Sequence, residues 1–336
     1  MSQATAPSVA GQEAAPQAAP PKPVVVAAAA VPGPAGSNFF IVFKDLLAGG
    51  VAGAVSRTVV SPLERMKILF QVQDGAADAY RGIVPTLRKI ATEEGWRGFF
   101  KGNGTNVIRI APYSAIQFAS FSQYKKIALS ITGTEYLAPV PSLIAGACAG
   151  ITSSTMTYPL DIIRTRLSVQ TDGRYRSMWH AIAEVYKHEG GVRGLYRGLS
   201  PTLLGVAPYV AINFTTYETL RRFFAEQEAL KDENHHRDPK SIQPTGLQKF
   251  FSGAVAGATA QTFTYPLDLV RRRMQMMGMP DCRYRYSSTL DAFRTIARVE
   301  GIRGLFKGML PNYLKVVPLM GVNFLVYEWC KRLLNP

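Results

Sequence analysis

Three cysteines in 336 residues are too few for a disulfide framework, and Cys148, Cys282 and Cys330 show no metal-ligand spacing. Histidine is equally sparse. The pair His235-His236 lies in Asp-Glu-Asn-His-His-Arg-Asp, a polar run that reads as a solvated loop. No nucleophile–base set assembles, and Gly102-Asn-Gly104 lacks the lysine-serine context of a phosphate-cradling loop. These gaps leave no enzyme, cofactor or metal reading. Strong hydrophobicity is missing too: mean hydropathy is only +0.02 although 47% of residues are hydrophobic. That is too polar for helices surrounded by lipid, and suits helices with one lipid face and one wet face. Acid is scarce, with 23 Asp and Glu against 38 Lys and Arg, a net charge of +15. Nucleic-acid binding is one source of such a balance. Here the bases are spread along the chain between long apolar stretches, which fits an anionic substrate and anionic lipid better. The reading from another class is a basic, membrane-associated nucleic-acid or lipid-binding protein.

Residues 1–38 form an Ala/Pro-rich segment with one acid, Glu13, and one base, Lys22. Such a composition cannot bury a core and predicts a disordered tail. It contains no arginine and makes a poor transit peptide. The run Val24–Val31 is too short and Ala-rich to span a bilayer.

What is present in quantity is repetition. Pro62-Leu-Glu64-Arg-Met-Lys67 recurs as Pro159-Leu-Asp161-Ile-Ile-Arg164 and as Pro266-Leu-Asp268-Leu-Val-Arg271. Glycine pairs precede each proline: Gly49/Gly53, Gly146/Gly150 and Gly253/Gly257. An acid-glycine pair and an aromatic-base-glycine triplet follow it. They are Glu94-Gly95 with Phe100-Lys101-Gly102, Glu189-Gly190 with Tyr196-Arg197-Gly198, and Glu300-Gly301 with Phe306-Lys307-Gly308. A second proline, at Pro112, Pro208 and Pro318, is followed by an aromatic at Phe121, Tyr217 and Tyr327. Landmarks in one register three times over mean triplication. The units run 39–134, 135–230 and 247–336, with a polar linker at 231–246.

Each unit predicts two long helices and a short amphipathic one between them. The odd helices fall at 41–71, 139–169 and 247–275, longer than the roughly 20 residues a span needs, each with a kink at its proline. The even helices fall at 105–128, 200–225 and 310–334. The short stretches, opening at Ile83, Ala181 and Leu290, read as helices lying on the membrane surface. In the first, Leu87, Ile90 and Ala91 form one stripe. The paired glycines predict close approach between neighbouring helices.

Taken together, these landmarks resemble the mitochondrial carrier family over roughly 41–334. The resemblance implies an all-α membrane protein with six tilted transmembrane helices in three pseudo-symmetric repeats. Each repeat adds a short matrix-side helix, and the whole is a monomeric, multi-pass protein of the inner mitochondrial membrane. The family uses internal targeting information, so the tail does not count against that location. The tail has no calcium-binding loop, which argues against the calcium-regulated branch.

Acid and base in each proline motif are three residues apart and share a helical face. Three such helices about an axis put three acids and three bases in a ring. By resemblance the pairs are Glu64–Arg164, Asp161–Arg271 and Asp268–Lys67, a matrix gate braced by Gln71 and Gln275, with Ser168 at the third brace position. The resemblance implies a cytosolic gate from Tyr217-Glu218-x-x-Arg221, Tyr327-Glu328-x-x-Lys331 and Lys125, with bridges Glu218–Lys331 and Glu328–Lys125. Ser122 replaces the acid of the first repeat, which leaves Arg221 without an ionic partner. The glycines of the triplets, with Gly82 of Tyr80-Arg81-Gly82, stand at helix N-termini suited to phosphate. By resemblance they bind cardiolipin; turn geometry is the other reading of these glycines.

Residues that break the threefold pattern are the candidates for an asymmetric substrate. Three residues before each even-helix proline stand Arg109, Gly205 and Lys315. Two cations suit phosphate or sulfate oxygens. Gly205-Val206 offers a flat apolar slot. Arg57 adds a cation where the other repeats have Ser154 and Gln261. Tyr209, Gln117, Asn213 and Asn323 are further candidates for base and ribose. The stretch from Gly49 to Pro62 looks closest to family members carrying adenosine 5′-phosphosulfate and its 3′-phosphorylated form. Coenzyme A and ATP-Mg/phosphate carriers share much of its wording. The partner implied is an anionic adenine nucleotide.

Overall fold

The computed structural model describes residues 39–73, 82–133, 137–170, 173–231, 245–280, 282 and 284–334. The readings placed on the tail, on Tyr80-Arg81 and on most of the 231–246 linker, with its two histidines, lie outside them. Among the described residues no strand forms. The first repeat holds α1 (Phe39–Val59), α2 (Ser61–Val72), α3 (Ile83–Gly98) and α4 (Asn103–Thr132). The second holds α5 (Pro139–Met156), α6 (Tyr158–Val169), α7 (Met178–His188), α8 (Val192–Leu195) and α9 (Leu199–Lys231). The third holds α10 (Gly246–Met276), α11 (Thr289–Val299), α12 (Gly301–Gly304), α13 (Met309–Leu314) and α14 (Val316–Leu334).

The proline kinks are unequal. The first two odd helices break at Val60 and Thr157, two residues before their prolines, where a following proline ring crowds the helical conformation. The third, α10, runs unbroken through Pro266. The first two even helices outlast the expected spans, and the third divides at Lys315. Contacts close the long helices into a ring: α1 packs on α4, α4 on α5, α5 on α9, α9 on α10, α10 on α13, and α14, which follows α13, back on α1. At one end α2, α6 and the C-terminal half of α10 also touch one another, so the ring is pinched there.

The distribution of polarity is inverted relative to a water-soluble bundle. Large apolar side chains stand outside, among them Leu247, Phe250, Phe263 and Phe324. The largest fully buried side chains include Arg65, Arg166 and Arg273. An apolar girdle around an ionic interior is what a bilayer selects, because charge in lipid is costly unless it faces a cavity or a partner. Only Gly301–Leu334 is both long and apolar enough to pass as a span on hydropathy alone among the described residues. Other long helices turn charges such as Arg57, Arg109 and Arg271 into the interior cavity.

The surface helices bury a narrow stripe: Thr86 and Ile90 in α3, Ala181 and Val185 in α7, Ala292 and Ile296 in α11. Each pair is four residues apart and so shares a face. Ala91, expected on that stripe, is exposed, because it lies one residue round the helix from Ile90. The paired glycines also depart from expectation. A Cβ added at Gly49, Gly146, Gly150, Gly253 or Gly257 would meet nothing within 4 Å, and at Gly53 only Ile110 at 3.8 Å. The close approaches fall instead at the pinched end. Gly102, Gly198 and Gly308 have φ of 80°, 87° and 83°. A Cβ on them would lie 2.9 Å from Arg164 O, 3.0 Å from Arg271 O and 2.9 Å from Lys67 O respectively. Each glycine starts an even helix directly against the odd helix of the next repeat. Glycine is needed there for both its φ and its lack of a side chain.

A cationic cavity above a closed ionic ring

At the pinched end the side chains of the three proline motifs meet across repeats. Arg164 Nη2 lies 2.6 Å from Glu64 Oε2, Arg271 Nη2 2.7 Å from Asp161 Oδ2, and Lys67 Nζ 2.8 Å from Asp268 Oδ2. Glutamines brace two of them. Gln71 Nε2 donates to Asp268 Oδ2 at 3.0 Å and to Tyr265 OH at 3.2 Å. Gln275 Nε2 donates to Asp161 Oδ2 at 2.8 Å and to Tyr158 OH at 3.1 Å. In the remaining repeat Ser168 turns away and donates to Arg164 O at 2.8 Å.

A second tier of arginines lies below this ring, and sequence reading overlooked it. Arg65, Arg166 and Arg273 each donate from Nε to the carbonyl of Ser168, Gln275 and Gln71 on the neighbouring repeat, at 2.8, 3.0 and 3.0 Å. Each also pairs with the acid of the acid-glycine motif: Arg65 Nη2 with Glu94 Oε1 at 2.7 Å, Arg166 Nη2 with Glu189 Oε2 at 2.8 Å, and Arg273 Nη2 with Glu300 Oε2 at 2.9 Å. The bases of the aromatic-base-glycine triplets, Lys101, Arg197 and Lys307, complete the clamps. The signal was present but shifted. Arg65 stands three residues after its proline, whereas Arg166 and Arg273 stand seven after theirs. Positions four apart share a helical face, so one turn's displacement preserves the contact. Burial alone would raise the Glu94 and Glu300 carboxyls. The hydrogen bonds from Arg65 and Lys101, and from Arg273 and Lys307, hold them below the usual carboxylate range instead.

Above the ring lies a cavity of about 350 Å³, lined by Arg57, Arg109, Tyr113, Ser154 and Arg272 together with the upper atoms of the ring. Arg109 Nη1 sits 3.6 Å from Asp161 Oδ1 and its guanidinium lies over the Tyr113 ring. Arg57 Nη1 donates to Asn106 Oδ1 at 3.1 Å, and Asn106 Nδ2 reaches Glu64 Oε2 at 3.4 Å. Lys315 Nζ lies 3.3 Å from Glu64 Oε1. Arg272 and Asn106 belong to this group, though neither was singled out from sequence. Arg272 is buried and donates to Thr165 Oγ1 at 2.6 Å and Gln275 Oε1 at 3.0 Å. Gly205 is placed apart from these cations, 3.9 Å from Leu267 when a Cβ is built on it. Val206, Tyr209 and Asn213 are half-buried on the same helix and do not line the cavity.

At the opposite end no such ring is closed among the described residues. Arg221 Nη1 reaches only Glu218 Oε1 of its own helix, at 3.4 Å. Lys125, Glu328 and Lys331 are exposed, and neither Glu218–Lys331 nor Glu328–Lys125 is in contact. Tyr217 and Tyr327 are half-buried beside them. Of the paired odd-helix glycines, only Gly53 comes near a side chain of another helix, Ile110.

Six spans in three repeats, with a water-facing ionic interior and one end shut, match a known description. The profile of the mitochondrial carrier protein family covers residues 40–131, 136–228 and 243–336. The chain belongs to the mitochondrial carrier family. It is therefore a transporter and not an enzyme. It is 46% identical over 300 residues to an uncharacterized mitochondrial carrier of Saccharomyces cerevisiae, spanning 84% of this chain and 89% of that one. It is 44% identical over 318 residues to a mitochondrial adenine nucleotide transporter of Arabidopsis thaliana, covering 88% of each. A mitochondrial coenzyme A transporter of Xenopus tropicalis is 38% identical over 304 residues, 89% of this chain and 88% of that protein.

Proposed function

We propose that this carrier exchanges anionic, adenine-containing nucleotides across the inner mitochondrial membrane by alternating access. Adenosine 5′-phosphosulfate and its 3′-phosphorylated form are the substrates put forward. The observation that carries this reading is the position of three cations on the ring acids, of which Arg57 and Arg109 line the cavity and Lys315 stands at its edge on Glu64. Arg57, Arg109 and Lys315 sit directly on the acids of the closed ring, through Asn106 in the case of Arg57. A phosphate or sulfate that takes Arg109 and Lys315 competes with Asp161 and Glu64 for them, which couples substrate binding to the ring below. In this reading the closed ring is the matrix gate. Closure of the Glu218–Lys331 and Glu328–Lys125 pairs belongs to the opposite state, and a carrier alternates by making one ring as it breaks the other. Gly205-Val206 remains the proposed adenine slot, with Tyr209 and Asn213 beside it. Helix N-termini near Gly82, Gly102, Gly198 and Gly308 are the proposed cardiolipin sites.

Coenzyme A is the second reading. The relative from Xenopus bears that name, and a 3′-phosphate plus a diphosphate would satisfy the same cations. Purified protein in liposomes, offered labelled phosphosulfates, coenzyme A, ADP and ATP in turn, decides between them. Arg109→Ala and Lys315→Ala should each lower uptake of the preferred substrate by about ten- to a hundredfold, the worth of one charge-assisted contact. Uptake by either variant at the wild-type rate would remove that residue from the substrate site.

A further inference from the structure

The ring and the side chains attached to its acids hold three carboxylates, those of Glu64, Asp161 and Asp268, and seven cationic side chains. Three cations are used in the bridges. The other four, Arg57, Arg109, Arg272 and Lys315, all break the threefold pattern. Arg57 is replaced by Ser154 and Gln261, and Arg272 by Ile68 and Thr165. Arg109 and Lys315 share their position with Gly205. Symmetric closure does not need them.

These four are not scattered. Arg109 and Arg272 both turn to Asp161, at 3.6 and 3.3 Å. Lys315 and Arg57 both attach to Glu64, one directly at 3.3 Å and one through Asn106. Asp161 already carries the Arg271 bridge and the Gln275 brace, so one carboxylate faces three guanidinium groups. The Nε atoms of Arg109 and Arg272 are buried without a hydrogen-bond partner. Buried cationic groups with donors to spare call for further anionic oxygens.

We propose that the cavity recognises nucleotides bearing two separate anionic groups, on the 3′ and 5′ sides of one ribose, in preference to 5′-polyphosphates. One group meets the Asp161 cations and the other the Glu64 cations. A phosphomonoester carries about two charges near neutral pH, so a nucleoside 3′,5′-bisphosphate matches four surplus cations in number, with one anionic group for each carboxylate. A 5′-triphosphate brings similar charge on a single strand and satisfies one cluster at the expense of the other. The volume of about 350 Å³ lies in the range of small-molecule sites. This inference rests on the nucleotide reading above. It ranks 3′-phosphorylated molecules over adenosine 5′-phosphosulfate itself, and it holds for either a phosphosulfate or a coenzyme A type of conjugate.

The test uses the full chain in liposomes and in detergent, with adenosine 3′,5′-bisphosphate, AMP, ADP and ATP as probes. Each is measured as a labelled substrate, as a competitor and as a thermal stabiliser. The bisphosphate should act at concentrations at least about tenfold lower than ATP or ADP, the effect of one well-made charge-assisted contact. Arg272→Gln and Lys315→Gln should each shrink that ratio toward unity, while Arg272→Lys, which keeps the charge, should retain most of it. If ATP or ADP equals or outperforms the bisphosphate, the two-cluster assignment is wrong and the nucleotide carrier still stands. A ratio unchanged in both glutamine variants overturns the assignment in the same way. If no nucleotide is carried, competes or stabilises, the nucleotide reading fails and takes this inference with it.

Discussion

Compare the two ends of the helix barrel. At the proline end three acids meet three bases across repeats, two glutamines brace them, and three arginine clamps lie underneath. At the aromatic end Arg221 finds only Glu218 of its own helix, and Lys125, Glu328 and Lys331 are exposed. Both ends derive from the same triplicated unit, so the difference lies in completeness. The proline end has every acid and every base. The aromatic end has Ser122 where its third acid would be. A carrier with unequal rings rests more readily with the fuller one closed, and substrate binding has to supply the difference.

The largest effect should come from the hub of the closed ring. Asp161→Asn strands Arg109, Arg271 and Arg272 in a buried site. Breaking a buried ion pair by removing one partner typically costs about 3–5 kcal/mol. The variant should unfold at clearly lower temperature in detergent and lose exchange activity. Stability within experimental error of the wild type would show that the closed ring contributes little to holding this state.

Next in size is an attempt to equalise the ends. Ser122→Asp supplies the missing acid to Arg221 and should shift the population toward the state closed at the aromatic end. An inhibitor or nanobody that locks that state should then stabilise the variant more than the wild type, by about 0.2–1 kcal/mol if the pair stays partly exposed. Equal stabilisation of both would argue that Ser122 does not face Arg221.

Acidification tests the clamps beneath the proline ring. Glu94 and Glu300 are held below their ordinary range. A depressed folded value contributes stability that is fully present above the unfolded carboxylate range, near pH 4.3, and is lost as pH falls through the folded value. Thermal stability in detergent should therefore decline below about pH 4.3, and the double variant Glu94→Gln with Glu300→Gln should flatten that decline. A decline of the same size in the double variant would assign it to other acids.

A comparably modest effect sharpens the fuller ring further. Ser168→Gln places a glutamine where Gln71 and Gln275 stand in the other repeats. A third brace should add about 0.5–1.5 kcal/mol, one net hydrogen bond, and slow exchange slightly. The equivalent approach of Gly308 to Gln71 indicates that the side chain fits beside a glycine of this kind. Faster exchange would mean that it does not brace the Glu64–Arg164 pair.

How much of this was legible in the chain depends on periodicity. The triplication, the six spans, the kinks before Pro62 and Pro159, and the shared face of acid and base in each proline motif follow from local spacing, because residues three and four apart must share a helical face. The membrane assignment followed from polarity placed on one face rather than from raw hydropathy, on which only 301–334 qualifies among the described residues. Spacing could not say that Gly49 and its counterparts stand free while Gly102, Gly198 and Gly308 bear the close contacts. That depends on which end of the barrel is shut. Nor could it find Arg272, since a third arginine in Arg271-Arg-Arg273 looks like one more base on a basic helix end. The pairing of repeat one with two, two with three and three with one was itself borrowed from resemblance, because acid and base on one helix can as readily pair with each other.

The chain by itself determined the repeat, the helices and the positions where symmetry is broken, since these are properties of local register along one strand of sequence. Only the tertiary structure decided which helices are neighbours, which ring is made, and that Arg57, Arg109, Arg272 and Lys315 gather on two carboxylates. Those contacts join residues tens to hundreds of positions apart. Their energy exists only where folding removes water from both partners at once, and no spacing rule along the chain carries that information.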